Sequence, residues 1–446
     1  MTQNSFLDII KRQRGDGNYA GDQYGGAAGT SGSGLPTGVA GNFMFATGIE
    51  CSYPTIEQGR VRRDELAECG HYERWRDDLR LVKELGLKVL RYGLPYYSAH
   101  LGPGRYDWSF SDEVMREMQR IEITPILDLL HFGIPDWLGN FQNPELPIHF
   151  ADYAAAVAKR YPWVRYYTPV NEIYVTARVS AKDGLWNEQL KSDQSFVTAM
   201  KHIVASSILA TQSIARQRPD AVIIQSESAE FVHEAKAVQS PEVKLANKLR
   251  FLSLDLLYAH PPDADVYMYL LDNGLSREEY HWFMAGEPPG YQVMGNDYYG
   301  HNERILLPDG KSCQAEDVAG WYLITKEYYE RYKKPVMHTE TNVADVEVAP
   351  TWLWKQWINV LRMRADGVPV LGFTWYSLID QIDWDIELKE KLGHVNANGL
   401  YDLDRRPHPV AAAYRALLAE FGQITVVPHG EMFDVTDRPA MLKMEV

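Results

Sequence analysis

Eight short apolar runs, each followed by a stretch of helical periodicity, constrain this chain more than any other feature. They fall at 43–50 (FMFATGIE), 87–96 (LKVLRYGLPY), 123–133 (ITPILDLLHFG), 164–172 (VRYYTPVNE), 221–228 (AVIIQSES), 291–300 (YQVMGNDYYG), 334–342 (KPVMHTETN) and 368–380 (VPVLGFTWYSLID). Their β-branched and aromatic residues suit a pleated, packed strand. Helix-period segments follow at 71–85, 111–120, 149–160, 196–216, 241–258, 316–332, 350–365 and 409–420. In the first of these, Trp75, Leu79, Val82 and Leu85 share one face. Strands that alternate with helices require parallel pairing through right-handed crossovers. Eight such units favour an α/β chain closed into a single-domain (β/α)8 (TIM) barrel. No GxGxxG follows the first run, so an open dinucleotide-binding sheet lacks its usual mark.

The barrel is expected over 42–422. Residues 1–41 form a Gly/Ser-rich N-terminal arm, flexible or wrapped on the domain surface, because 15–41 hold too little apolar surface to order themselves. Phe6, Ile9 and Ile10 allow a short helix at its start. The arm's glycines lack the GK[ST] sequel of a phosphate cradle. A tail, 423–446, follows the barrel, and its ITVV suggests a short edge strand. There is no fixed-period repeat.

Charge narrows the function. Asp and Glu number 60 against 45 Lys and Arg, a net charge of −15 that disfavours a nucleic-acid binder. Three cysteines, Cys51, Cys69 and Cys313, have no CxxC spacing and read as thiols in a reducing compartment. Residues 1–20 lack an apolar signal core, and no run reaches a membrane span of about 18–20 residues. A cytoplasmic protein with no membrane partner is the expectation, with self-association left open.

In such barrels the active site lies at the C-terminal ends of the strands. The runs end on Arg91, then Asp128 and His131, Asn171 and Glu172, Glu227, Asn296 to Tyr299, His338 to Asn342, and Trp375 to Trp384. So many polar groups would be costly inside strands unless they line a cavity or are paired. Glu172 and Glu340, at the ends of the fourth and seventh runs, face each other across the mouth. Two opposed carboxyls are what double-displacement glycoside cleavage needs, one as nucleophile and one as acid then base. Each alone reads equally well as a rim glutamate in a salt bridge. A metal-dependent hydrolase would want an HxH on the first strand, and FMFATGIE has none, so no metal and no cofactor are expected.

The segment YTPVNE (167–172) resembles the T-x-N-E-P acid/base motif of glycoside hydrolase family 1, the β-glucosidase family of clan A. PVMHTETN (335–342) is similar to its P-x-x-x-T-E-N-G nucleophile motif. HYERWRDDLRLVKELGLKVLRYGLPY, LDLLHFGIPDWL and SLIDQIDW resemble further family motifs in family order, so the resemblance spans about 43–420. It implies a retaining β-glycosidase on small β-glycosides, with Glu172 as acid/base and Glu340 as nucleophile. Asn171 would bond the sugar 2-hydroxyl, His131 the 3-hydroxyl, and Arg91 would hold Glu340 ionised. Tyr299, or Tyr298 in the other register of N-Y-Y, would donate to Glu340. Trp375 would form the aromatic floor, Tyr376 being the ungapped alternative, with Asp383 and Trp384 beside the sugar.

Three positions depart from the family. Pro54 stands for the glutamine of S-Y-Q-I-E-G, Asp383 for the glutamate that bonds the 4- and 6-hydroxyls, and Thr341-Asn342 for N-G. Lys389 and Lys391 match the phosphorylated-substrate branch poorly and read as a solvated charged loop. The resemblance therefore implies the reaction more firmly than the sugar. A transglycosylase, or a catalytically silent carbohydrate-binding barrel, remains the alternative.

Overall fold

The computed structural model describes residues 5–14, 43–234, 240–307, 309, 311–315 and 317–426. Its centre is a closed barrel of eight parallel strands, each inside one of the eight runs. They are β1 (Met44–Ile49), β2 (Val89–Gly93), β3 (Thr124–Asp128), β4 (Tyr166–Thr168), β5 (Val222–Ser228), β6 (Tyr291–Asp297), β7 (Val336–Glu340) and β8 (Val370–Trp375). Each strand pairs with its sequence neighbours, and β8 closes on β1 through Met44↔Gly372 to Thr47↔Trp375.

Alternation of side chains along a strand decides what fills the barrel. Met44, Ala46, Val89, Ile126, Val222, Ile224, Val293, Met337 and Leu371 pack together inside it. Continuing the same face upward brings Arg91 on β2, Asp128 on β3 and Asp297 on β6 to the C-terminal mouth. Residues on the opposite face meet the helices. In the helix His71–Glu84, Trp75, Leu79 and Val82 are buried, as its periodicity requires, and Leu85 caps it.

At its N-terminal end the described chain forms the expected short helix and takes the wrapped alternative; at its C-terminal end it departs from expectation. The helix Phe6–Arg14 is docked, not loose: Phe6 is fully buried, its ring 5.4 Å from Trp282, 5.9 Å from Phe283 and 6.0 Å from His202. Ser5 Oγ donates to Glu279 at 2.8 Å beside it. An aromatic side chain buried this way contributes roughly 1.5–3 kcal/mol, enough to pin a short helix that would not persist alone. The Gly/Ser-rich stretch after it lies outside the described residues.

Residues 424–426 of the tail form no strand. Ile424 O accepts from Phe43 N at 3.3 Å, Thr425 O accepts from Arg364 Nη2 at 2.7 Å, and Val426 joins the interior cluster at the N-terminal end of the barrel. An apolar plug outcompetes an edge strand there because the closed barrel has no edge to extend. The rest of the tail lies outside the described residues.

Four small sheets all come from segments that follow barrel strands. They are Thr55–Ile56 with Val61–Arg62, His100–Gly102 with Arg105–Tyr106, the three strands Phe231–Glu234, Glu303–Leu306 and Ser312–Gln314, and Gln381–Ile382 with Val395–Asn396. They wall the mouth on which the polar strand ends converge. Among the described residues, no helix is long and apolar enough to cross a membrane.

Candidate active site

Arg91 organises the mouth. Its guanidinium, fully buried, donates through Nη1 to Glu340 Oε1 and through Nη2 to Asp128 Oδ2 at 2.7 Å and to Asn171 Oδ1. Burial works against its charge, but Glu340, Asp128 and Asp297 more than restore it and hold Arg91 well above the usual arginine range. Tyr299 donates its hydroxyl to the other Glu340 oxygen at 2.6 Å. Both oxygens of Glu340 therefore act as acceptors, as in an ionised carboxylate.

Asp128 also faces His131, whose Nδ1 lies 2.9 Å from Oδ2, while Asn171 Nδ2 lies 3.1 Å from His131 Nε2. Burial opposes a charged imidazole, yet Cys51 and Asp128 beside Nδ1 push it well above the ordinary histidine value. Arg91, Asp128, Asn171, His131, Glu340 and Tyr299 thus form one bonded cluster drawn from β2, β3, β4, β6 and β7 or the turns that follow them.

Glu172 is different. It turns the chain from β4 into the helix Ile173–Ala181 with a left-handed backbone, φ 39° and ψ 66°. Non-glycine residues hold such a conformation only where the surroundings impose it, and such strain gathers at functional sites. Its N–H donates to Ser226 O at 3.0 Å, but its buried carboxyl has no hydrogen-bonding partner among the described residues. Burial raises its pKa well above the usual glutamate value, and Asp297, Glu340 and Glu227 add to the rise against His131. Glu227, on β5, is a structural neighbour. It accepts from Tyr174 N at 3.2 Å, Ser228 N at 3.2 Å and Ser253 Oγ at 2.6 Å, capping that same helix. Burial pushes Glu227 up to about 7 despite these donors.

Three expected site residues lie elsewhere. Tyr298 sends its hydroxyl to Glu303 at 2.6 Å and Asp317 at 2.7 Å, not to Glu340, because neighbouring residues at the strand end point to opposite sides. Trp375 is no floor. It lies on the helix-facing side with Phe373, which packs against Trp357 and Tyr414, and its indole N–H goes to Asn398 O at 3.1 Å. Tyr376 is the aromatic residue beside the cluster, its ring 5.5 Å from the Arg91 guanidinium and parallel to His131 at 6.3 Å. Gly48 makes this fit, since a Cβ there would stand 2.2 Å from the Tyr376 ring.

Asp383 is the third correction. Its fully buried carboxylate accepts from Arg63 Nη2 and from the backbone N–H groups of Leu392, Gly393 and His394 at 2.7–3.0 Å. Burial opposes its charge, but these donors pull its pKa below the usual value and engage both of its oxygens within the protein. Trp384 stays at the rim in a patch with Phe132 and Trp186, 6.0 and 6.2 Å away. Lys389 and Lys391 are exposed, and Lys391 pairs with Glu68 at 3.5 Å.

Glu50 was not singled out from sequence, and Cys51 and Asp297, though named there, were given no role in the site. Glu50 is held by Ser52 N at 2.8 Å and Gln381 Nε2 at 3.1 Å, and Cys51 Sγ lies 3.4 Å from His131 Nδ1. Strand alternation carried through Val293, Gly295 and Asp297 would have found the last of them. Cys51, Asp128 and His131 bring S, O and N donors within 4.8 Å of one another. Arg91, bound to the same Asp128 oxygen at 2.7 Å, already supplies the positive charge a metal would bring. In the second such group, Asp383 is engaged by Arg63 and backbone N–H groups, while the exposed Asp385 and His394 bond to each other at 3.1 Å.

Comparison with known proteins agrees with this architecture. The model of glycosyl hydrolase family 1 matches residues 51–262. A 6-phospho-beta-glucosidase of Clostridium longisporum is 24% identical over 442 residues, covering 85% of this chain and 89% of the relative. The galactolipid galactosyltransferase SFR2, chloroplastic, of Arabidopsis thaliana is 20% identical over 372 residues, covering 74% of this chain and 55% of the relative. A beta-glucosidase from Thermotoga maritima in complex with methoxycarbonyl-substituted glucoimidazole superposes with a TM-score of 0.71 at 18% identity, over 86% of this chain and 98% of the other. That likeness shows the shared barrel. Taken together, the family model and these relatives make the chain similar to glycosyl hydrolase family 1 and show a glycoside hydrolase acting on O-glycosyl bonds.

Proposed function

We propose that this protein is a retaining β-glycosidase in which Glu340 is the nucleophile and Glu172 the acid/base. The observation that carries the reading is the contrast between the two carboxyls. Glu340 has both oxygens engaged by Arg91 and Tyr299, whereas Glu172 is buried without a hydrogen-bond partner and its pKa is raised. Environments that differ in this way separate an anion from an acid at one pH. Glu340 attacks the anomeric carbon as Glu172 gives its proton to the leaving oxygen, forming a glycosyl ester. Glu172 then takes a proton from water, which attacks the same carbon and releases Glu340. Asn171 and His131 serve as sugar-hydroxyl partners, with Tyr376 beneath and Trp384 at the rim.

A neutral sugar fits better than a phosphorylated one. Glu50, Asp128 and Asp297 surround the site with carboxylates, and Lys391 is paired with Glu68. The relative named a galactosyltransferase supports a second outcome, in which an acceptor hydroxyl replaces water on the glycosyl ester. The partner is a small carbohydrate, and free Cys51, Cys69 and Cys313 accord with a cytoplasmic location.

The test is a panel of aryl β-glycosides (glucoside, galactoside, fucoside, mannoside, xyloside and 6-phosphoglucoside), with the product anomer followed by NMR and an acceptor alcohol added in parallel. Initial release of the β-anomer, lost in Glu340→Ala, is expected. First appearance of the α-anomer, or undiminished activity of Glu340→Ala, refutes the assignment. Transfer product in place of free sugar would select the transglycosylase.

A further inference from the structure

Asp383, expected beside the sugar, has both oxygens engaged within the protein, but another carboxyl stands at the end of β1. Side chains alternate along a strand, and Met44 and Ala46 point into the barrel with the interior cluster. Gly48 continues that face, and the Tyr376 ring lies where its Cβ would be. Glu50 comes next on the same face, one step above the ring, and is 4% exposed. Its chain neighbours touch the two parallel rings of the cup. Ile49 O accepts from the Tyr376 hydroxyl at 3.1 Å, and Cys51 Sγ lies 3.4 Å from His131 Nδ1. Glu50 itself is held at both oxygens, Oε1 accepting from Ser52 N at 2.8 Å and Oε2 from Gln381 Nε2 at 3.1 Å. Asn398 Nδ2 donates to Gln381 Oε1 at 2.6 Å, which turns the amide N–H groups of Gln381 toward Glu50. A carboxylate oxygen accepts two donors, so Oε2 keeps a place for another.

Around the cup the contacts run in one order. Asn171 Nδ2 lies 3.1 Å from His131 Nε2, His131 Nδ1 lies 3.4 Å from Cys51 Sγ, and Glu50 follows, bonded to Gln381. A pyranose carries its 2-, 3- and 4-hydroxyls in the same order around its ring. With Asn171 at the 2-hydroxyl and His131 at the 3-hydroxyl, the next position falls to Glu50, because the Cys51 thiol is turned to His131 and, at 3.8 Å, to the Tyr376 hydroxyl. We propose that Glu50, held by Gln381, is a specificity-determining residue that bonds the 4-hydroxyl of the sugar, so that the substrate is a glycoside whose terminal sugar has that hydroxyl free. This rests on the placing of Asn171 and His131 at the 2- and 3-hydroxyls. The role does not depend on charge. Burial raises the Glu50 pKa against the opposing influence of His131, and a carboxyl bonds a hydroxyl in either state, accepting when ionised and donating when protonated.

The experiment measures kcat/KM of the wild type, Glu50→Ala and Glu50→Gln on the aryl β-glycoside of whichever sugar is cleaved, and on its 3-deoxy and 4-deoxy analogues. On the parent, Glu50→Ala should lose about tenfold or more. On the 4-deoxy analogue, which has no hydroxyl there to bond, the same substitution should cost less than about threefold. On the 3-deoxy analogue, which keeps the 4-hydroxyl, the loss should match that on the parent. Glu50→Gln, with the same length and a hydrogen-bonding head, should lose less than Glu50→Ala. Equal losses on the parent and the 4-deoxy analogue mark a structural role and overturn the proposal, as does a loss that vanishes on the 3-deoxy analogue instead. His131→Ala separates the two ideas, since its own loss must vanish on the 3-deoxy analogue. If it does not, the placing of His131 falls; if it does and the Glu50→Ala loss persists on the 4-deoxy analogue, only the role of Glu50 falls. Should Glu50→Ala fail to fold, Glu50→Gln carries the same comparison. The wild type alone supplies a further check, since cleavage of a 4-O-methyl analogue as fast as the parent also overturns the proposal.

Discussion

Replacing Tyr299 by Phe isolates a single interaction. The hydroxyl meets Glu340 Oε2 at 2.6 Å, short enough for a charge-assisted bond, and the ring is stacked on His301 at 5.3 Å with planes 5° apart. Phenylalanine keeps the ring and its stacking and removes only the donor. A hydrogen bond to a charged group contributes about 1.5–3 kcal/mol. At about 1.4 kcal/mol per tenfold, its loss at the attacking carboxylate predicts a fall in kcat/KM of roughly 10- to 150-fold. Arg91 remains on the other oxygen, so activity should be reduced rather than abolished. The assay is steady-state hydrolysis of the preferred aryl β-glycoside, with thermal unfolding as a control for intact structure. A kcat/KM within about threefold of wild type, at an unchanged unfolding midpoint, would refute the view that Tyr299 holds the nucleophile.

Phe6→Ala should lower unfolding stability by about 3–5 kcal/mol, read by denaturant titration, because the fully buried ring packs against three aromatic groups. Activity at low temperature should persist, since this contact lies away from the catalytic mouth. Trp375→Phe should lower the unfolding midpoint yet leave KM unchanged, the mark of a residue facing the helices; a rise in KM would return Trp375 to the sugar site. Glu227, raised to about 7 by burial, keeps its proton in the folded state over a range where the unfolded chain has lost it. Its contribution to stability is therefore fully present below the unfolded value of about 4.3 and declines as pH rises to about 7. The pH–stability curve of Glu227→Gln, subtracted from wild type, should show that decline and nothing above pH 8.

The barrel was legible because its signal is repeated eight times and each run carries a strand. The two glutamates proposed as the catalytic pair could be picked out because strand ends are where such barrels place chemistry, and Glu340 ends β7 while Glu172 follows β4. Trp375 was misplaced for a physical reason. The register shift between Val336↔Val370 and His338↔Phe373 breaks simple alternation on β8 below Trp375. Asp383 looked free because its partners are backbone N–H groups at 392–394 and Arg63, more than three hundred residues upstream. Glu50 and Cys51 carry no motif, and only closure of β1 against β2 and β8 brings them beside His131. Val426 shows the same limit at the other end, since a plug can be recognised only once there is a hole to fill.

The Arg91 cluster has a consequence for anyone wishing to retarget this catalyst. One guanidinium serves Glu340, Asp128 and Asn171, which lie on or just beyond three different strands, so altering any of them perturbs the other two. A lysine could not stand in, because a point charge lacks the planar fork that reaches several acceptors at once. Laboratory evolution toward another sugar should therefore find few tolerated changes at the base of the cup. Productive variation should gather on the rim, where Phe132, Trp186 and Trp384 form a separate apolar patch that can be reshaped without disturbing the machinery beneath.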